Sequence, residues 1–203
     1  MLVTLRQRNF ALILVGSFIS LIGDWMLLVG LPLRVYTLTH STLSTSIAFM
    51  VGALPTLLVG QLAGVFVDRW NRKHILIVAN LLLALNLLPL LLVISARDVW
   101  IVYLVQFVAA LVGQFLQPAA GAMLPTLVAE EMLVPANALN GLTTNLARLI
   151  GPSLGGAVVA FLGLQGIALL DAVSFLVAGA MAALVMLPSR SKTILSTDGE
   201  ASH

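Results

Sequence analysis

The chain has 203 residues, of which 60% are hydrophobic and 9% charged, with a mean hydropathy of +1.09 and a formal net charge of +2. That composition excludes a water-soluble domain, whose core could not hide so much apolar surface, and predicts an all-α polytopic membrane protein with the lipid bilayer as its solvent. The few basic residues sit at segment ends and make no nucleic-acid footprint, and the absence of cysteine removes disulfide scaffolds, thiol catalysis and cysteine-bound metals.

A membrane-spanning helix needs roughly 20 apolar residues, and six such stretches follow one another. The first, from about Phe10 to Val35, comes after a short basic start, is broken only by Asp24, and is too long for the core of a cleaved signal peptide. The others cover Ser44 to Val67, His74 to Ser95, Val99 to about Met123, about Ala136 to Leu162, and Leu164 to Leu187. Residues 1–187 are thus read as one six-helix bundle, and residues 188–203 as a polar tail expected to be disordered. Pro125 and Pro135 bracket what reads as the longest link, which also carries Glu130 and Glu131. Arg6, Arg8, Arg69, Arg72, Lys73, Arg190 and Lys192 fall on one side of the membrane and only Arg34 and Arg97 on the other. The positive-inside rule then predicts that both termini are cytoplasmic.

Three ionisable residues fall inside apolar segments: Asp24, Arg148 and Asp171. A charge at such depth costs at least roughly 2.5–3.5 kcal/mol, so each is expected to face a partner, the protein interior or a watery cavity. Arg148 lies about 18 Å into the fifth segment, and Asp24 at similar depth in the first, which makes the two candidates for a pair. Asp24 then reads as a carboxylate that loads and releases a proton, as one half of a permanent ion pair that fixes packing, or as a water-facing carboxylate near a cavity mouth. Asp171, early in the sixth segment, is with Asp24 and Arg148 a candidate for transport or coupling, and its position near the extracellular side favours a structural role. Trp25, Tyr36, Gln61, Asn80, Asn86, Tyr103, Gln106, Gln114, Gln117, Asn140 and Asn145 suit a substrate path, though the amides equally suit ties between helices and Trp and Tyr an interfacial belt. His40, His74 and His203 lack metal-ligand spacing, and no phosphate loop or serine elbow is present. No metal, cofactor or enzymatic activity is therefore expected, and an intramembrane enzyme is opposed by the lack of clustered catalytic residues.

Two motifs carry more information. Between the second and third segments stands Gly64-Val65-Phe66-Val67-Asp68-Arg69-Trp70-Asn71-Arg72-Lys73. Here Gly64 suits a close helix approach, Asp68 a helix end, Arg69, Arg72 and Lys73 the headgroup layer, and Asn71 a left-handed turn. The fifth segment holds Gly151-Pro152-Ser153-Leu154-Gly155-Gly156, a closely packed and kinkable stretch. The first motif resembles the cytoplasmic-loop signature of the major facilitator superfamily, with Asn71 where Gly is usual and Phe66 where Leu is usual. The second resembles the antiporter motif on the fifth helix of its exporters. Leu21-Ile22-Gly23-Asp24-Trp25, Ala136-Asn137-Ala138-Leu139 and Leu170-Asp171-Ala172-Val173-Ser174-Phe175 are similar to the macrolide-efflux and siderophore-export branch.

The resemblance implies the N-terminal half of a twelve-helix secondary transporter. Such a protein would work by alternating access in a bacterial cytoplasmic membrane, exporting a drug-like or siderophore-like small molecule with proton coupling. Gln106 and Gln114 stand where many drug exporters carry an arginine, which weakens the proton inference. The second six-helix half would lie on the same polypeptide or on another chain. The alternative is a half-size membrane protein that dimerises or modulates a partner.

Overall fold

The computed structural model describes Thr4 and residues 6–186, apart from the side chains of residues 61–63, 65 and 68. Every regular element among the described residues is helical. In chain order, α1 is Arg8–Thr39, α2 is Thr42–Arg69, α3 is Arg72–Leu87, α4 is Val99–Leu127 and α5 is Leu133–Leu184. Short 3-10 turns at Leu88–Leu92, Ala96–Asp98 and Glu130–Met132 extend or join them. Among the described residues, five helical stretches are long and apolar enough to cross a membrane. This is the architecture that hydrocarbon imposes, because a helix pairs its own backbone donors and acceptors where no water can.

Local chemistry sets the helix ends. Ser41 accepts from Ser44 N at 3.2 Å to start α2, and Asn71 accepts from the backbone N–H of Lys73 at 3.0 Å and of His74 at 3.4 Å to start α3. This corrects the left-handed turn expected at Asn71. Its φ of −70° and ψ of 109° are extended, and it serves as an N-cap whose side-chain oxygen takes orphan helix donors. Before α4, the Asp98 carboxylate accepts from Ser95 N at 2.7 Å and Ser95 Oγ at 2.9 Å, closing the turn that opens the helix. The expected stop at Asp68 falls one residue early, since α2 continues to Arg69; the Asp68 carboxylate itself lies outside the described residues, as do the tail 188–203 and its Arg190 and Lys192. Pro125 stands inside α4 and Pro135 in the first turn of α5, so the link at 128–132 is short rather than the longest.

The fifth and sixth segments of the sequence emerge as one helical run, α5, of 52 residues. A continuous helix of that size would reach about 78 Å, well over twice the roughly 30 Å hydrocarbon layer. Gly163 interrupts it, with φ 67° and ψ −169°, a backbone region that essentially only glycine occupies. The two arms, 133–162 and 164–184, take opposite directions along α1. The positions of Gly151 against Trp25, Gly155 against Met26 and Val159 against Gly30 advance in parallel with α1. By contrast, Gly16 meets Ala178 and Met181, Gly23 meets Asp171 and Ser174, and Gly30 meets Ile167, an antiparallel progression. The arms therefore fold back on each other around α1.

Two apolar clusters stack along the bundle. One gathers Leu31, Val35, Leu90, Val102 and Ile167, and the other Phe10, Leu76, Met123, Ala136 and Ala182. Beyond the second cluster, Asn9 Nδ2 donates to Met186 O at 2.7 Å and Met186 N donates to Asn9 Oδ1 at 3.2 Å, so the beginning of α1 and the end of α5 share one end of the bundle.

Candidate functional site

A cavity of about 280 Å³ runs inside the bundle from Phe10 to Asp24, halfway along α1. Its walls come from α1, α3, α4 and both arms of α5. Glycine spacing on α1 explains how the walls are held. Gly16, Gly23 and Gly30 recur every seven residues, all buried, and let the C-terminal arm of α5 lie directly on α1. A Cβ at Gly155 would come within 2.8 Å of Met26 Cα and 2.7 Å of Met26 O, so the N-terminal arm approaches α1 as closely. With two faces of α1 sealed in this way, Asp24 is turned to the remaining face, where its exposed surface opens into the cavity.

Arg148 and Asp171 take different places. Arg148 is exposed, and its guanidinium carbon sits 4.9 Å from the centre of the Trp25 ring, within reach of a cation–π attraction. Among the described residues it forms no ion pair with Asp24, so the expected partner is replaced by the aromatic neighbour one residue on. Asp171 is 1% exposed, packs on Gly23 and accepts from Ser174 Oγ at 2.9 Å through Oδ1, while its Oδ2 has no partner. Gly23 directly precedes Asp24, so the structure brings the two carboxyl groups, rather than the expected acid and base, to the same level of the bundle.

The loop motif binds helix ends. Arg72 Nη1 donates to Ala122 O in α4 at 3.0 Å, and Lys73 Nζ donates to Ala183 O and Val185 O at 2.7 Å each. A cation on the last carbonyls of a helix is favoured by the unpaired C=O groups there. Arg69 is exposed, and among the described residues nothing lies within 4 Å of a would-be Cβ at Gly64, which corrects the close approach expected there. In the fifth-helix motif, Gly151 and Gly155 pack against α1, Pro152 is half-buried within the helix, and Gly156 faces open space.

The polar residues divide between ties and cavity. Asn86 Nδ2 reaches Val105 O at 2.9 Å, the Tyr103 hydroxyl reaches Ser44 O at 2.9 Å, and Gln114 Nε2 reaches Thr56 Oγ1 at 3.0 Å, all of them fastening neighbouring helices. Asn80, Gln117 and Asn140 line the cavity, joined by Ser17, Ser20, Thr143 and Thr144, which the sequence reading did not single out. The heptad spacing of glycines on α1 was the available signal for which face of that helix is left to the cavity. A second, more open depression of about 550 Å³ lies at the Asn9–Met186 end, away from Asp24, Arg148 and Asp171. Among the described residues there is no cluster of metal-ligating side chains.

A bundle of helices this long and apolar, packed around an internal cavity with a carboxylate at mid-span, defines a multi-pass membrane protein. Residues 1–195 match the family model described as a transmembrane secretion effector, MFS_3, and the chain belongs to this family of the major facilitator superfamily. It is similar to macrolide efflux protein A of Streptococcus pyogenes, 28% identical over 95% of this chain and 48% of that protein. It is also similar to the multidrug efflux pump Tap of Mycolicibacterium fortuitum, 31% identical over 78% of this chain and 40% of that one. The uncharacterized MFS-type transporter YfiS of Bacillus subtilis is 27% identical over 84% of this chain and 40% of its own length. The chain spans about half, or less, of the length of these curated relatives. No solved structure matches it significantly.

Proposed function

We propose that the chain is the N-terminal, six-span half of a major facilitator exporter that moves a small molecule out of a bacterial cell by alternating access, with proton coupling. The observation that carries this reading is the internal cavity reaching a mid-span carboxylate, Asp24, in a chain of this family. Relatives named for macrolide, multidrug and enterobactin export support export as the direction. The break at Gly163 supports six crossings, and so does the shared end of Asn9 and Met186, since only an even number returns the chain to its starting side. The basic end carrying Arg8, Arg72 and Lys73 would be cytoplasmic, and a second six-helix half, on the same polypeptide or on a partner, would complete the substrate path.

In this reading Asp24 loads a proton from one side and releases it to the other as the bundle rocks, while Arg148 on Trp25 and the buried Asp171 set the electrostatics around it. The glycine-lined contacts of Gly151 and Gly155 with α1 give the helices a sliding surface, and Pro152 a place to bend. The test is pH-gradient-driven flux in proteoliposomes holding this half joined to its second half. Asp24→Asn should lower the driven flux by about tenfold or more at unchanged protein incorporation, and undiminished flux would overturn the coupling role. Flux from the 203-residue chain alone, lost on blocking its self-association, would favour the dimerising alternative.

A further inference from the structure

Arg148 stands where a cation has a choice of partners. It is exposed, and its guanidinium carbon lies 4.9 Å from the centre of the Trp25 ring. Trp25 follows Asp24 directly on α1, and Thr144, one helical turn before Arg148 on the same face of α5, lines the cavity into which Asp24 opens. The ring and the carboxyl group are therefore both within the sweep of one long side chain, and the guanidinium takes the ring.

The fifth-helix motif seats that ring. Gly151 lies one turn beyond Arg148, and a Cβ there would collide with the Trp25 Cβ and come within 3.1 Å of Ile22 O, so the glycine lets α5 press on α1 at this level and fixes the root of the indole. Charge then decides between the partners. A cation–π attraction is weaker than an ion pair at contact distance in the same surroundings, so a guanidinium beside an ionised Asp24 would leave the ring. A neutral carboxyl group offers it much less, and the ring wins. No other charge interferes among the described residues: Asp24 is the one titratable residue lining the cavity from α1, α3, α4 and α5, and Asp171, on the C-terminal arm of α5 against Gly23, has no cationic form.

We propose that Trp25 is a positioning residue, which parks Arg148 beside Asp24 while the carboxyl group carries its proton and surrenders it to the carboxylate when the proton leaves. The proton passes to water in the cavity, the guanidinium keeps its own charge throughout, and the pair that forms leaves no bare carboxylate at mid-span. An ionised group at that depth is costly, and here its counter-charge is one side-chain swing away. The inference rests on the transporter reading and names how its coupling site is regulated.

The test follows Trp25 in the full chain in lipid nanodiscs, with Trp70→Phe and Trp100→Phe leaving it the sole tryptophan. Its fluorescence emission and the carboxylic C=O stretch in the infrared, assigned to Asp24 by its loss in Asp24→Asn, are read across a pH series. The emission should change in one step at the pH where the Asp24 band disappears, and Asp24→Asn and Arg148→Gln should each abolish the step. Arg148 is exposed, so its replacement leaves the packing of the bundle in place. Trp25→Ala removes the competing partner and should move the Asp24 midpoint down by about one pH unit, Trp25→Phe should keep it near the original value, and Arg148→Gln should move it up by about one to three. Emission that stays constant while Asp24 titrates, or a midpoint unmoved by Trp25→Ala or by Arg148→Gln, overturns the hand-over and leaves the transporter reading standing. An Asp24 band that persists at every pH overturns the hand-over and the coupling role together.

Discussion

At the scale of single residues, the protein places its costly groups according to what stands beside them. Asp171 keeps one oxygen paired through Ser174 and lies against a glycine, because only the absence of a side chain at Gly23 leaves room for a carboxyl between two helices. Gly163 is the other position where a single residue decides the chain's path. At φ 67° and ψ −169° any Cβ is strained, so Gly163→Ala should destabilise the bundle by about 1–3 kcal/mol, read as a lowered thermal unfolding midpoint in detergent. An unchanged midpoint would mean that the backbone there relaxes into helix. The three intramembrane charges were legible in the sequence, since a charge in an apolar run cannot be missed. Their partners were not, because residue depth says nothing about azimuth: Asp24 and Arg148 sit at similar depth, yet Arg148 lies over Trp25 and Asp24 opens into the cavity.

At the scale of elements, helix packing is set by small residues rather than by hydrophobic burial, since lipid tails are as apolar as the side chains they replace. The fifth-helix motif contains its own control. A methyl group at Gly155 meets the Met26 backbone at 2.7–2.8 Å, while one at Gly156 meets nothing within 4 Å. Gly155→Ala should therefore cost about 1–3 kcal/mol through overpacking, and Gly156→Ala should be neutral or stabilising by up to about 1 kcal/mol through helix propensity. Equal effects in thermal or denaturant unfolding would refute the packing account. The motif was visible in the sequence, but which of its glycines touch α1 depends on helix rotation, and Gly64 shows the converse, a motif glycine with open space around it. The loop motif's lysine carried a similar surprise: its charge predicted a membrane face, and the fold also seats it on the carbonyls of Ala183 and Val185.

At the scale of the whole molecule, the ends of the bundle differ in charge. Arg72 and Lys73 gather near the Asn9–Met186 contact, while Arg34 reaches Val93 O at 3.4 Å at the opposite end, beside the turn that holds Arg97. The chain has no cysteine of its own, so single-cysteine variants report sidedness without background. In intact cells, a membrane-impermeant maleimide should label Arg97→Cys readily and Trp70→Cys only after permeabilisation; the reverse pattern would invert the topology. Helical class and the apolar character of the spanning segments could be read from the linear chain because they depend on counts and on local hydropathy, which the bilayer imposes on each segment independently. What only the tertiary structure decided is which faces of those helices meet. Contacts across the bundle join residues more than a hundred positions apart, such as Gly23 with Asp171 and Gly155 with Met26, and the rotation of each helix about its axis emerges only when all of them are packed at once.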